Sequence, residues 1–165
     1  MAGVGWSAVN GAPEWLPSLI EFTGDWNAFV GEVYDCYCAD FVRMKASFKG
    51  VRIAVRRHPE SNGKGSGFWH CVSEGSMENV RTPDLQRCQR IGWIRAIIDN
   101  SDKQEVEHWT NRRHGETNHL LWLLEEYLVV LVERNGYFLL KTAYRTDRPH
   151  TKRKLREERN RSKNG

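Results

Sequence analysis

Asparagine followed by glycine at 135–136, set between Tyr127-Leu-Val-Val-Leu-Val132 and Tyr137-Phe-Leu-Leu-Lys-Thr-Ala-Tyr144, constrains this chain more than any other feature. An Asn-Gly pair between two β-favouring runs predicts a two-residue hairpin, because both positions of the primed turns need positive φ. Such a turn fixes register. Arg134 pairs with Tyr137, and counting outward sets Thr142 opposite Val129 and Tyr144 opposite Tyr127. Period-two alternation then puts Phe138, Leu140, Thr142 and Tyr144 on one face and Lys141 on the other. Both faces are largely apolar, which predicts central strands.

Two earlier runs, Glu105–Thr110 and Asn118–Leu124, read as further strands, although 117–126 is rich enough in Leu and Glu to be helical instead. Upstream the period is that of a helix. Thr23 or Asp25 can cap a helix whose apolar positions Trp26, Phe29, Val30, Val33, Tyr34, Tyr37, Phe41 and Val42 recur at three- and four-residue steps. A second helix is predicted over 83–98, with Thr82 as cap and Pro83 in the first turn, where a missing N–H is harmless. Its apolar stripe is Ile91, Ile94 and Ile98, and four residues before Ile91 stands Arg87. That arginine either snorkels at the end of the stripe or presents its guanidinium to a ligand. Between the helices, Val51–Arg56 alternates as a half-buried strand with Val51, Ile53 and Val55 inward. His58–Gly67 follows as a glycine-rich connection without a Walker pattern, and Phe68-Trp-His-Cys-Val72 begins another strand.

At 165 residues the chain fits one core, and the patterns divide it into an irregular lead-in (1–24), a single α+β domain (25–147) and a basic C-terminal helix and tail (148–165). No apolar run reaches the about eighteen residues that span a bilayer, and no secretory leader pattern opens the chain, so a cytoplasmic protein is expected. Cys36, Cys38, Cys71 and Cys88 are expected as reduced thiols. A zinc site of Cys71, Cys88 and a histidine would lack the usual two tight ligand pairs, so no metal or cofactor is expected.

The net charge of +4 conceals an asymmetry. Residues 141–165 carry ten Lys and Arg against three acids, +7, which leaves −3 for the other 140 residues. Such an end either attracts a polyanion or simply keeps the protein in solution. The segment from Arg148 to Arg161 has only Leu155 as a clear apolar residue, so its role is expected to be electrostatic.

Few residues suit chemistry. His70 and His150 are the acid–base candidates, because imidazole titrates near neutrality. Thr142 is polar on an apolar face, and an inward hydroxyl wants a partner such as a phosphate oxygen. Tyr144 shares its face. Arg87, Lys152 and Lys154 could neutralise an anion, and Trp69 and Trp109 are the tryptophans freer to stack on bases.

The succession Phe68-Trp-His-Cys-Val-Ser73, Arg87-Cys-Gln-Arg-Ile-Gly-Trp-Ile-Arg95, Tyr127-Leu-Val-Val-Leu131 and Tyr137–Tyr144, followed by His150 and Lys154-Leu155, resembles phage- and prophage-associated proteins of the barnase-EndoU-colicin-RelE superfamily of ribonuclease toxins. The resemblance covers roughly residues 25–158. It implies an α+β fold in which N-terminal helices pack on a four-stranded antiparallel sheet, with the site on the sheet's exposed face. The implied activity is metal-independent endoribonuclease cleavage of RNA, tRNA or mRNA, through a 2′,3′-cyclic phosphate, with an antitoxin or immunity protein as a further partner. Carried over by position, His70 is the catalytic histidine, Arg87 and Arg90 bind phosphate, and Thr142 with Tyr144 is the polar pair of the last strand. A nucleic-acid-binding phage protein without catalysis is the alternative.

Overall fold

The computed structural model describes residues 12–74 and 82–164. Helix α1 (Trp26–Cys38) starts where the Asp25 carboxylate accepts the Ala28 N–H at 3.1 Å, which satisfies an otherwise orphaned donor of the first turn. It buries Phe29, Val33 and Tyr37, then widens into a π-helical turn, Ala39–Arg43, that carries Phe41 inward. The segment expected as a strand at Phe68 is helix α2 (Ser66–Val72), with Phe68, Cys71 and Val72 buried at i, i+3 and i+4. A five-residue apolar run does not distinguish the two periods.

The helix predicted over 83–98 is two. Asp84 caps α3 (Leu85–Gln89), and α4 (Ile91–Asp99) follows after a break at Arg90, where φ is −101° and ψ 14°. The Thr82 side chain, the expected cap, lies outside the described residues, as do residues 1–11 of the expected lead-in. Residues 12–22 are irregular yet fastened to α3 and α4. Trp93 Nε1 donates to the Pro17 carbonyl at 2.9 Å, the Ile20 N–H donates to that of Gln89 at 3.0 Å, and Leu16 is buried.

Six strands form the main sheet: β1 (Ser47–Phe48), β2 (Val51–Ala54), β7 (Val106–Arg113), β8 (Glu116–Leu123), β9 (Tyr127–Arg134) and β10 (Tyr137–Arg145). Two-residue ladders, β3 (Glu60–Ser61) with β4 (Lys64–Gly65) and β5 (Ser73–Glu74) with β6 (Thr82–Pro83), flank α2. The order is β1-β2-β10-β9-β8-β7, and β2 runs parallel to β10. The fold is therefore α+β, but its sheet is six-stranded and mixed; only β7–β10 form the antiparallel four that were expected. Residues 117–126 resolve as strand β8 and its turn. In β2, Ile53 is buried while Val51 is exposed.

Helices α1 to α4 cover one face of the sheet, over Leu121, Leu123, Tyr127, Val129, Leu131 and Leu140. The C-terminal helix α5 (Pro149–Asn164) crosses the other face, where Leu155 joins Trp109, Leu120, Trp122, Leu128 and Val130. Every apolar residue of β9 is buried because the strand is sandwiched between two helical layers.

The β9–β10 register begins as expected, with Arg134 opposite Tyr137, and holds to Leu140 opposite Leu131. There it slips. Lys141 is an extra residue, so Thr142 pairs with Val130 and Tyr144 with Leu128. The bulge turns Thr142 and Tyr144 onto the α5 face, away from Phe138 and Leu140, which corrects the expected common face. The turn differs too. Only Gly136 has positive φ, 86°, whereas His114-Gly115, between β7 and β8, has the primed geometry at 53° and 77°. No described helix is long and apolar enough to cross a membrane.

Candidate functional site

On the α5 face, the sheet and the helix enclose an open groove of about 620 Å³. That volume suits a nucleotide-sized ligand. Strands β8, β9 and β10 supply Asn118, Leu120, Val130, Thr142 and Tyr144, and the bulge adds Lys141. Strand β7 adds Asn111 and Arg113, and α5 forms the wall with His150, Thr151, Lys154, Leu155, Glu157, Glu158 and Arg161.

Helical spacing sorts the charges of α5. Lys152, Arg156, Arg159 and Lys163 recur at four- and three-residue steps along one stripe and pair with acids of the sheet and its β8–β9 turn. Lys152 reaches Glu126 at 2.9 Å, Arg156 reaches Glu125 at 2.7 Å, Lys163 reaches Glu107 at 3.0 Å, and Arg159 bonds both Glu107 and Glu125. The neighbouring stripe, His150, Lys154, Glu157 and Arg161, faces the groove. Lys154 and Arg161 have no ion pair among the described residues. Lys141 stands 3.7 Å from Glu116, and Arg113 bonds Glu158 at 2.8 Å. The groove thus carries four cations, Arg113, Lys141, Lys154 and Arg161, against Glu157 and Glu158.

Thr142, Tyr144, His150 and Lys154, all expected at a site, line this groove together. Two other candidates meet them from behind. Thr142 Oγ1 donates to the His70 backbone carbonyl at 2.8 Å, and the Arg87 guanidinium lies 5.5 Å from the Tyr144 ring centroid. Arg87 also donates to the Ser73 carbonyl at 2.8 Å and sits 3.3 Å from Glu74 and 3.8 Å from Asp84. Together with Tyr144 it lines a smaller cavity of about 340 Å³ beside the groove. Burial raises the Tyr144 phenol above its ordinary range against the pull of Arg87, so the hydroxyl stays a proton donor. At His150, Arg153 Nη2 lies 3.1 Å from Nδ1. A guanidinium only donates, so Nδ1 accepts and the neutral ring carries its proton on Nε2.

Two candidates lie elsewhere. Arg90 is 5% exposed, bonds the Gln86 carbonyl at 3.0 Å and its Oε1 at 2.7 Å, and stacks over Trp93. Burial and the nearby Arg145 lower its pKa, which is the signature of a structural cation under Tyr127 and α4. Lys152 spends its charge on Glu126. Neither is available to a ligand in the groove. Trp109 is likewise not free to stack, being 3% exposed with its N–H on Glu158 at 2.8 Å.

No protein-family model, curated protein or solved structure matches the chain.

Sequence reasoning missed Asn111, Arg113, Asn118, Lys141, Glu158 and Arg161. Lys141 was placed on the wrong face by an unseen bulge. Asn118 carried a usable signal, since it shares its strand face with Leu120 and Trp122, and a polar residue in such a row calls for a partner. The four cysteines are free thiols, and burial raises Cys36 to about 11 and Cys88 to about 12, which keeps those two protonated. Among the described residues no group of three His, Cys, Asp or Glu is arranged to hold a metal ion.

Proposed function

We propose that the chain is a metal-independent endoribonuclease of the barnase-EndoU-colicin-RelE type, and that the groove between β7–β10 and α5 holds the RNA. The observation that carries this reading is the convergence, around Tyr144, of residues from α2, α3, β10 and α5. The antiparallel meander β7–β10, with helices on one side and the groove on the other, supports it as well.

Cleavage by a 2′-hydroxyl needs a base for that proton, charge to stabilise the phosphorane and an acid for the departing 5′-oxygen. His150 is the acid–base group of the groove, with its tautomer set by Arg153. Tyr144 donates a hydrogen bond to a phosphate oxygen or to the leaving oxygen. Lys154, Arg161 and Lys141 stabilise the charge that develops. Arg87 then acts as a positioning residue by holding the Tyr144 ring, and the main-chain carbonyl at His70 holds Thr142; His70 itself is not among the residues that line the groove, so neither takes the direct role that the resemblance implied.

Purified protein with total RNA in EDTA should give fragments ending in a 2′,3′-cyclic phosphate. His150→Ala should slow cleavage by about 100-fold or more, the range of a lost acid–base group. Binding of RNA without cleavage by folded protein would leave the second reading, a non-catalytic nucleic-acid-binding module. One observation favours that reading: Arg87 and Arg90 are both committed to protein partners, so the phosphate clamp rests on Lys141, Lys154 and Arg161 alone of the groove's cations that lack a close ion pair.

A further inference from the structure

Asn118 is 3% exposed and lines the groove. Its amide orientation is set by a chain of bonds that begins on α5. Glu158 accepts from Trp109 Nε1 at 2.8 Å, Asn111 Nδ2 at 3.0 Å and Arg113 Nη2 at 2.8 Å. Burial alone would push the Glu158 carboxyl up, but these three donors outweigh it and hold the group ionised. An ionised carboxylate only accepts, so the atom of Asn111 that faces it is the NH2 and the other is Oδ1. That oxygen accepts Asn118 Nδ2 at 2.9 Å. The direction of every bond is thereby fixed, and Asn118 is left with Oδ1 as its remaining polar atom. This oxygen is buried and has no partner among the described residues.

An acceptor held at this position by its neighbours is complementary to a hydrogen-bond donor on whatever the groove takes in. Beside it, Leu120, Val130, Leu155 and Tyr144 form an apolar surface suited to the flat face of a base rather than to a ribose. We infer that Asn118 Oδ1 accepts an N–H from the edge of a nucleobase, so that the groove prefers bases with an exocyclic amino group over uracil. The inference rests on the RNA reading above. Uracil has one imino donor between two carbonyls, so its approach sets a carbonyl against the Asn118 oxygen. Glu158 is a positioning residue in this arrangement, since it dictates which way both amides point.

The test is fluorescence anisotropy with labelled oligo(A), oligo(C), oligo(U) and oligo(dA), in a His150→Ala background so that the strands stay intact. Oligo(A), oligo(C) and oligo(dA) should bind about tenfold more tightly than oligo(U), in line with the discrimination that one well-made base contact gives. Asn118→Leu should bring that ratio close to one. So should Glu158→Gln, which leaves the core strand untouched but lets both amides turn over; the ratio, not the absolute affinity, is the readout. Equal affinity for all three RNA oligomers overturns the inference and leaves the RNA reading standing. No binding of any oligomer by folded protein overturns that reading itself. A preference that survives both substitutions removes the assignment to Asn118, and three RNA oligomers that bind alike but more tightly than oligo(dA) place the donor on the 2′-hydroxyl instead of the base.

Discussion

His108 and His119 share a hydrogen bond on the helix-covered face, Nε2 to Nδ1 at 2.9 Å, and His119 Nε2 lies 2.5 Å from Glu133. Their ring planes differ by 16° with centroids 5.1 Å apart. The nitrogen separation plus two ring radii already fills that distance, so the rings meet edge to edge in one plane rather than face to face. Phe48 packs its edge against both. Burial, and then the charges of Lys49 and His119, lower the His108 pKa to about 4, against about 6.5 for a solvated imidazole. Between those values the unfolded chain binds the extra proton, so stability rises with pH across the window and is lost as pH falls through it. The urea midpoint should therefore drop from pH 6.5 to pH 5, before the carboxylates titrate, and His108→Phe should flatten that slope. A wild-type midpoint that stays level over this range would show that His108 is not held neutral.

Helix α5 illustrates what charge patterning can and cannot disclose. Its sequence has one clear apolar residue, and an electrostatic role follows directly from that. The partner was hidden, because the acids that bind it, Glu107, Glu125 and Glu126, stand one strand and one turn away with nothing local to single them out. The bulge at Lys141 was hidden for a related reason: no glycine or proline marks it, and only the pairing of β10 with β9 displays it. In contrast, the Asp25 cap, the Phe29, Val33, Tyr37 and Phe41 positions of the first helical segment and the first four pairs of the Asn135-Gly136 hairpin depend on neighbours in sequence and were legible, whereas Trp26 and Val42, expected on the same stripe, are exposed because they flank it at the two ends. Of the groove, Thr142 and Tyr144 of β10 and His150 and Lys154 of α5 could be read, whereas Lys141, Glu158, Arg161 and the β7 and β8 residues could not. Arg159 is the residue on which α5 docking turns, because it bonds two acids and covers the Trp122 ring at 5.5 Å. Arg159→Ala should cost about 1–2 kcal/mol of docking, since charge-assisted bonds of a partly buried network are lost together. Amide hydrogen exchange should speed up about tenfold in α5 and stay unchanged in β9; equal loss of protection in both would mean that α5 does not open separately.

The molecule as a whole presents a much weaker field than its sequence suggests. Of the ten cations in residues 141–165, Lys152, Arg156, Arg159 and Lys163 share three acids outside that segment, Glu107, Glu125 and Glu126, which offset three of its seven net positive charges. Arg148, Arg153, Lys154 and Arg161 remain without an ion pair among the described residues, and of these Lys154 and Arg161 face the groove, where Lys141 is loosely held by Glu116. Each phosphate neutralised on a single strand contributes about −0.7 to the slope of log affinity against log salt. The expected slope for RNA is therefore about −2, and Lys154→Ala should make it shallower by about 0.7. A slope near −7 would instead mean that the whole basic segment leaves the sheet and binds RNA.

The parallel pairing of β2 with β10 joins Ile53 to Phe138 and Ala54 to Leu139. Residues 85 positions apart must meet before that ladder returns any energy, whereas each hairpin from β7 to β10 closes over a short turn. The meander can assemble from local contacts, but α1 and β2 have no sheet to join until it exists. On a ribosome the first of these segments emerges long before the last strand does. For this chain, the order of folding is therefore expected to run opposite to the order of synthesis.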